Sequence, residues 1–139
     1  MTAKEYLKQY EYAKKRAARY REMYENELSL IDAVRSLSDN DGMPHGSNIS
    51  KPTEDKAIRL ADRALRWQQA ELDAIAVGDE VFATISEIPD IEGDVLYQRY
   101  INLRKWEEIC VMLNYSWNGI HKAHRRALSI VEGILLNRV

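Results

Sequence analysis

From Leu7 through Tyr10, Ala13, Ala17, Tyr20, Tyr24, Leu28 and Ile31 to Val34, apolar and aromatic residues return in steps of three or four. Only a helix gathers such a series on one side, because side chains on a strand change face at every residue. Thr2, with Glu5 three positions on, forms a capping box that starts this helix. The stripe is narrow, which suits packing against one other long helix better than burial in a globular core. Lys14, Lys15, Arg16, Arg19 and Arg21 cluster on the same helix among Glu11, Glu22 and Glu25, and read as a solvated face.

The stretch from Asp39 to Pro52, DNDGMPHGSNISKP, has no helical period and is dense in turn-forming residues, so a connecting loop is expected there. His45 lies in it without metal-ligating companions. Thr53, followed by Glu54 and Asp55, opens a second long helix whose apolar series runs through Ile58, Ala61, Leu65, Leu72, Ile75 and Phe82. This series is expected to pack against the first helix, with Gln68 and Asp79 as polar seam positions that fix register. The pattern leaves open whether the partner helix comes from the same chain or a second copy. Pro89 should end the second helix and Asp90 should cap the next. The fold expected is all-α: a long antiparallel helical hairpin over 1–88 with a loop at 39–52, then a C-terminal three-helix helix-turn-helix unit over 89–139.

Charge is divided unevenly along the chain. Residues 1–94 carry 13 Lys+Arg against 19 Asp+Glu, a net −6, whereas residues 95–139 carry 7 against 3, a net +4. A local basic surface of this kind is what contact with phosphates requires. The single cysteine, Cys110, rules out an internal disulfide, and no apolar run approaches the roughly 20 residues that cross a bilayer. With a charged, helical N-terminus in place of an apolar signal core, a cytoplasmic protein without membrane contact is expected.

The informative stretch runs from Asp94 to Leu128. Two short helices that cross steeply need a small residue at the crossing, a turn residue tolerant of left-handed backbone, and apolar anchors inside the second helix. Ile109 and Leu113 supply the inner face of the first helix, Cys110 the small, buried and inert crossing residue, and Asn114 the turn. Ser116 is a good N-cap for the second helix, whose inner positions are Ile120 and Ala123, with Ala127, Leu128 and Val131 beyond. Leu96, Tyr97, Tyr100 and Ile101 make an amphipathic helix that roofs the pair, with Asn102 at its C-terminal turn.

On this register Ser116, Trp117, Asn118, His121, Lys122 and Arg125 form the outward strip of the second helix. Arg125 suits guanine or a phosphate, Asn118 adenine, Lys122 a phosphate, and Trp117 or His121 a thymine methyl or sugar edge. The helix N-terminus adds backbone donors for phosphate. Trp117 has a competing role as a packing residue against the roof helix. His121 and His124 stand three apart but lack a third ligand, so no metal or other cofactor is expected. Glu107 and Glu108 sit where a helix dipole accounts for them. No nucleophile and base, phosphate loop or metal set appears, so an enzyme is not expected.

Four groups of residues carry a family resemblance: Leu96-Tyr97-Gln98-Arg99-Tyr100, Glu108-Ile109-Cys110, Leu113-Asn114-Tyr115-Ser116 and Arg126-Ala127-Leu128. They resemble region 4 of sigma-70-type factors, where a leader helix ending in Arg-Tyr precedes a Glu-Ile-Ala helix, a turn and an Arg-Ala-Leu signature. With the N-terminal long helix and its loop, the whole chain is similar to small phage-encoded regulators of the ArpU and RinA type. The resemblance implies transcription regulation of phage or prophage late or packaging genes, on double-stranded promoter DNA and through RNA polymerase. A homodimer through the long helices fits the same reading. The chain departs from the pattern at Arg104 and Lys105, where a Ser or Thr cap is usual, and at Cys110, where Ala is usual. It also lacks the basic and aromatic melting motif of a complete sigma factor. The alternative is a packaging or structural DNA-binding protein such as a small terminase subunit, in which the DNA unit usually stands first rather than last; a module that binds only protein is a further one.

Overall fold

The structure, a computed structural model, describes residues 1–39 and 51–138. Among these residues the fold is all-α, with α1 (Ala3–Asp39), α2 (Lys51–Ser86), α3 (Asp90–Leu96), α4 (Trp106–Leu113) and α5 (Trp117–Asn137). A single π-helical turn, Tyr97–Ile101, follows α3 directly. No described helix is long and apolar enough to cross a membrane. Of the expected 39–52 loop, Asp39 falls within α1 and Lys51 and Pro52 within α2, where proline is tolerated in a first turn. Residues 40–50, His45 among them, lie outside the described residues.

The capping box closes in both directions. The Thr2 amide donates to Glu5 Oε2 at 3.0 Å and the Glu5 amide to Thr2 Oγ1 at 3.2 Å. At the far end of α2 the expectation fails: Pro89, not Asp90, occupies the position before α3, and no side chain caps it. Asp90 is instead the first residue of α3 and has a left-handed φ of 62°. The tight reversal from Ile88 to Gly93 forces this conformation, and Asp tolerates it better than most residues.

The chain forms two compact units, Met1–Lys14 with Asp73–Val139, and Lys15–Leu72. The division therefore falls inside the long helices rather than at residue 88. In the first unit the opening turns of α1 and the last turns of α2 share a core with the C-terminal helices. Leu7, Val81, Ile85, Leu96, Ala127 and Val131 are its centre. Each Leu, Ile or Val side chain so buried contributes about 1.5–3 kcal/mol relative to exposure. Polar groups in this core are paired: the Tyr6 and Thr84 hydroxyls lie 2.9 Å apart, Thr84 donates to the Glu80 carbonyl, and Arg138 donates to Thr84 Oγ1 at 2.9 Å. The C-terminal end of α5 is thereby tied to α1 and α2.

In the second unit, the Tyr24 ring of α1 lies tilted against Trp67 of α2 at 5.5 Å between ring centroids, and Glu27 is paired to Arg59 and Arg63. Only Ala17 and Ala70 are fully buried among its described residues.

The expected seam of α1 holds as far as its described side chains go: Leu7 and Ala17 are buried and Tyr10, Ala13, Tyr20, Tyr24 and Ile31 half-buried, with only Leu28 outside. The expected seam of α2 does not. Ile58, Ala61, Leu65, Leu72, Ile75 and Phe82 are all exposed, and so are Gln68 and Asp79. The buried face passes instead through Leu60, Ala64, Trp67, Ala70, Ala74, Val77, Val81 and Ile85, fully or half covered. Side-chain size decides between the two stripes. The α1 stripe is rich in tyrosine, and a bulky ring seats best against small residues. A β-carbon at Gly78 would stand 2.7 Å from the Tyr10 ring, so that ring occupies the space which glycine leaves.

Candidate nucleic-acid interface

The C-terminal site starts from a turn. At the end of α4, Asn114 takes the left-handed conformation (φ 57°, ψ 49°), and the Tyr115 amide reaches back to the Cys110 carbonyl at 3.0 Å. This closes the helix in the manner of a Schellman cap, at a residue type that accepts positive φ. Ser116 then extends the backbone and accepts the Gly119 amide at 3.0 Å, a cap that contributes about 1 kcal/mol. The first-turn amides of Trp117 and Asn118 have no carbonyl within α5 to meet, which leaves them available to an anion.

Beneath the turn, Ile109, Ile120 and Ala123 are fully buried together with Val95, and Trp106, Cys110 and Leu113 pack around them. Cys110 is half-buried rather than buried. The roof is supplied by α3 and the π turn: Leu96 and Tyr100 are buried, Ile101 half-buried and Tyr97 at the surface. Asn102 keeps right-handed backbone, and the reversal falls to Leu103, with φ 56°. In place of the Ser or Thr cap usual before the first helix, Lys105 precedes α4 without a capping side chain. Arg104 anchors the segment instead, donating from Nε to Gln98 Oε1 at 3.0 Å while its carbonyl accepts from Arg99.

One aromatic residue organises the region more than its sequence position indicates. The Trp106 ring lies 4.6 Å from His121 and 4.7 Å from His124, and the Arg99 guanidinium covers it at 4.9 Å. Tyr100 and His124 join below it, hydroxyl to Nε2, at 2.7 Å. Burial, reinforced by the positive charges of Lys4, His121 and Arg99, depresses the His124 pKa to about 4. The neutral ring shares a hydrogen bond with the Tyr100 hydroxyl, and burial raises the Tyr100 pKa to about 12. Neither Val95 nor Trp106 stood out in the sequence, and Arg99 did so only within the Arg-Tyr motif, because their roles depend on contacts between separate elements.

The outward strip is well defined. Ser116, Trp117, Asn118, Lys122 and Arg125 are exposed, and Asn118, Lys122 and Arg125 share one face of α5 at spacings of four and three. Neither the Lys122 nor the Arg125 side chain is held in an ion pair among the described residues. Neighbouring Arg126, by contrast, donates from Nε to Glu92 at 3.0 Å, and that bond holds the Glu92 carboxyl below its ordinary pKa. His121 departs from the expected outward position. It is half-buried between Trp106 and Trp117, 4.5 Å from the latter ring, with Nε2 covered and unbonded. Its place one residue after the buried Ile120 lets the two indoles close over it, so it positions Trp117 rather than reaching out beside it.

No group of three His, Cys, Asp or Glu residues able to hold a metal ion occurs among the described residues. Comparison of the chain with family models, with curated proteins and with solved structures yields no match.

Proposed function

We propose that this chain is a DNA-binding transcription regulator in which α4 and α5 act as a helix-turn-helix and the strip from Ser116 to Arg125 enters the major groove. The observation that carries the reading is the placement of Asn118, Lys122 and Arg125. These groups stand exposed and free of ion pairs on one face, beside an N-terminus with unfilled amides, while the opposite face of the same helix is buried. Arg125 and Lys122 meet phosphate or guanine, Asn118 meets adenine, and exposed Trp117 lies over the sugar edge or a thymine methyl. His121 supports Trp117 from behind.

The resemblance to sigma-70 region 4 and to the ArpU and RinA type of phage regulator extends this reading to late or packaging genes of a phage or prophage. On that reading the protein works in the cytoplasm as a binding protein rather than an enzyme, contacts RNA polymerase, and pairs its long helices as a hairpin that also joins two copies.

The test is binding of the full chain to a mixed-sequence duplex across a salt series, followed by genomic pull-down to find the site. With about four phosphates neutralised, log K should fall against log salt with a slope of roughly −3.6. The double substitution Lys122→Ala and Arg125→Ala should weaken binding on the order of 30-fold and flatten the slope by about 2, with helicity unchanged. A folded double variant that binds as the parent does would rule out this face.

A further inference from the structure

The second apolar stripe of α2 is exposed and has no partner among the described residues. In the Lys15–Leu72 unit, Ile58, Leu65 and Leu72 are 68%, 65% and 55% exposed, although each is a large aliphatic residue on a well-formed helix. They recur every seven residues, with Ala61 and Gln68 between them, which is the a and d pattern of a two-stranded coiled coil. Among its described residues the unit buries only Ala17 and Ala70 completely, and paired helices with a small interior gain stability from further association.

We propose that this stripe is the interface between two copies of the chain, paired parallel and in register along α2. This deepens the self-association named above and rests on that part of the reading alone; the contact of α5 with DNA is independent of it. One observation points to a second copy rather than a different protein, and a second to how the two copies align. The first is charge. Apposing two identical faces sets each charge near its own kind, and here the bordering charges are already satisfied within the chain. Asp62 pairs with Arg66 at 3.0 Å, Arg59 with Glu27 at 3.5 Å, and Glu71 accepts from Trp67 Nε1 at 3.0 Å. Such a face offers no net charge by which to select an oppositely charged partner.

The second observation is Gln68, the one polar residue inside the Ile58–Leu72 stripe. In a parallel, in-register pair it meets its own copy, and the two amides bond to each other. An antiparallel pair sets a positions against d positions, so Gln68 would face Leu65 or Leu72 and its amide would lose its partners. The same residue therefore selects both the orientation and the register.

The experiment measures the mass of the full chain in solution without DNA, by sedimentation equilibrium and light scattering. The expected result is a species of twice the 16.1 kDa chain mass. Leu65→Glu should halve that mass while circular dichroism stays helical. Gln68→Cys, in a Cys110→Ala background, should form an interchain disulfide on mild oxidation; it carries the test if Leu65→Glu fails to fold. A 16.1 kDa species at every soluble concentration would overturn the proposal and leave the stripe to another protein. A dimer that survives a folded Leu65→Glu variant, or that forms no Gln68→Cys cross-link, would equally overturn the parallel α2 interface. Loss of DNA binding with the dimer intact would strike the α5 reading only.

Discussion

Gly93→Ala is expected to destabilise the chain by about 3 kcal/mol, although an alanine inside a helix normally gains about 1 kcal/mol over glycine. The sign is decided by one close approach. A β-carbon built on Gly93 would stand 2.1 Å from the Ile88 carbonyl oxygen, far inside any real contact, and that oxygen is backbone that cannot swing aside. The segment between has no slack, since Asp90 already holds a φ of 62° and Ile88 is fixed in the core. Relief would require α3 to move off the end of α2, taking buried Val95 and Leu96 with it. Urea unfolding followed by circular dichroism measures the effect. A midpoint equal to or above that of the parent would show that the reversal at Ile88–Gly93 has room for a β-carbon.

Acid should remove a comparable amount of stability through His124. The folded chain keeps this imidazole neutral down to about pH 4, whereas in the unfolded chain it takes up a proton near pH 6.5. Between those values the unfolded state binds more protons, so stability falls as the pH falls. The contribution is whole above about pH 6.5 and is lost by about pH 4, for a total of roughly 3 kcal/mol. The structural reason is burial: a charged imidazolium would lose its water in the core, and the nearby positive charges of Lys4 and Arg99 oppose it further. Tyr100 adds the opposite edge, because its pKa of about 12 withdraws stability as alkaline pH ionises the unfolded chain first. Unfolding midpoints at a series of pH values should show the acid slope in the parent and a flatter one in His124→Gln, whose amide can still accept from Tyr100. Identical slopes in the two proteins would place the acid sensitivity elsewhere.

How far the sequence could be read follows from how many patterns each segment contains. The start of α1 was legible to the residue, because Thr2 and Glu5 satisfy each other locally and its helix has a single apolar stripe. The α4–α5 turn was equally legible. Its geometry admits few residue types, and Asn114, Ser116, Ile109, Ile120 and Ala123 each meet a separate requirement. In α2 two apolar stripes coexist, and periodicity alone ranks the aliphatic one first. Only the partner helix, with its tyrosines, makes alanine and glycine the better contact. The π turn, the left-handed Leu103 and the Trp106 stack escaped for a different reason, since each is settled by packing between elements distant along the chain. His121 fell on the border: one helical position from the core, its environment is set by which large rings happen to be near.

The sharing of one core between the chain's two ends limits how the C-terminal helices can be handled as a part. Cutting before residue 89 would strip away Tyr6, Leu7, Val81, Ile85 and Ile88 and expose Leu96, Tyr100 and Val131, which now lie against them. Helix α5 is thus no detachable part, and a recombination event that moved it into another protein would have to carry the start of α1 and the end of α2 along.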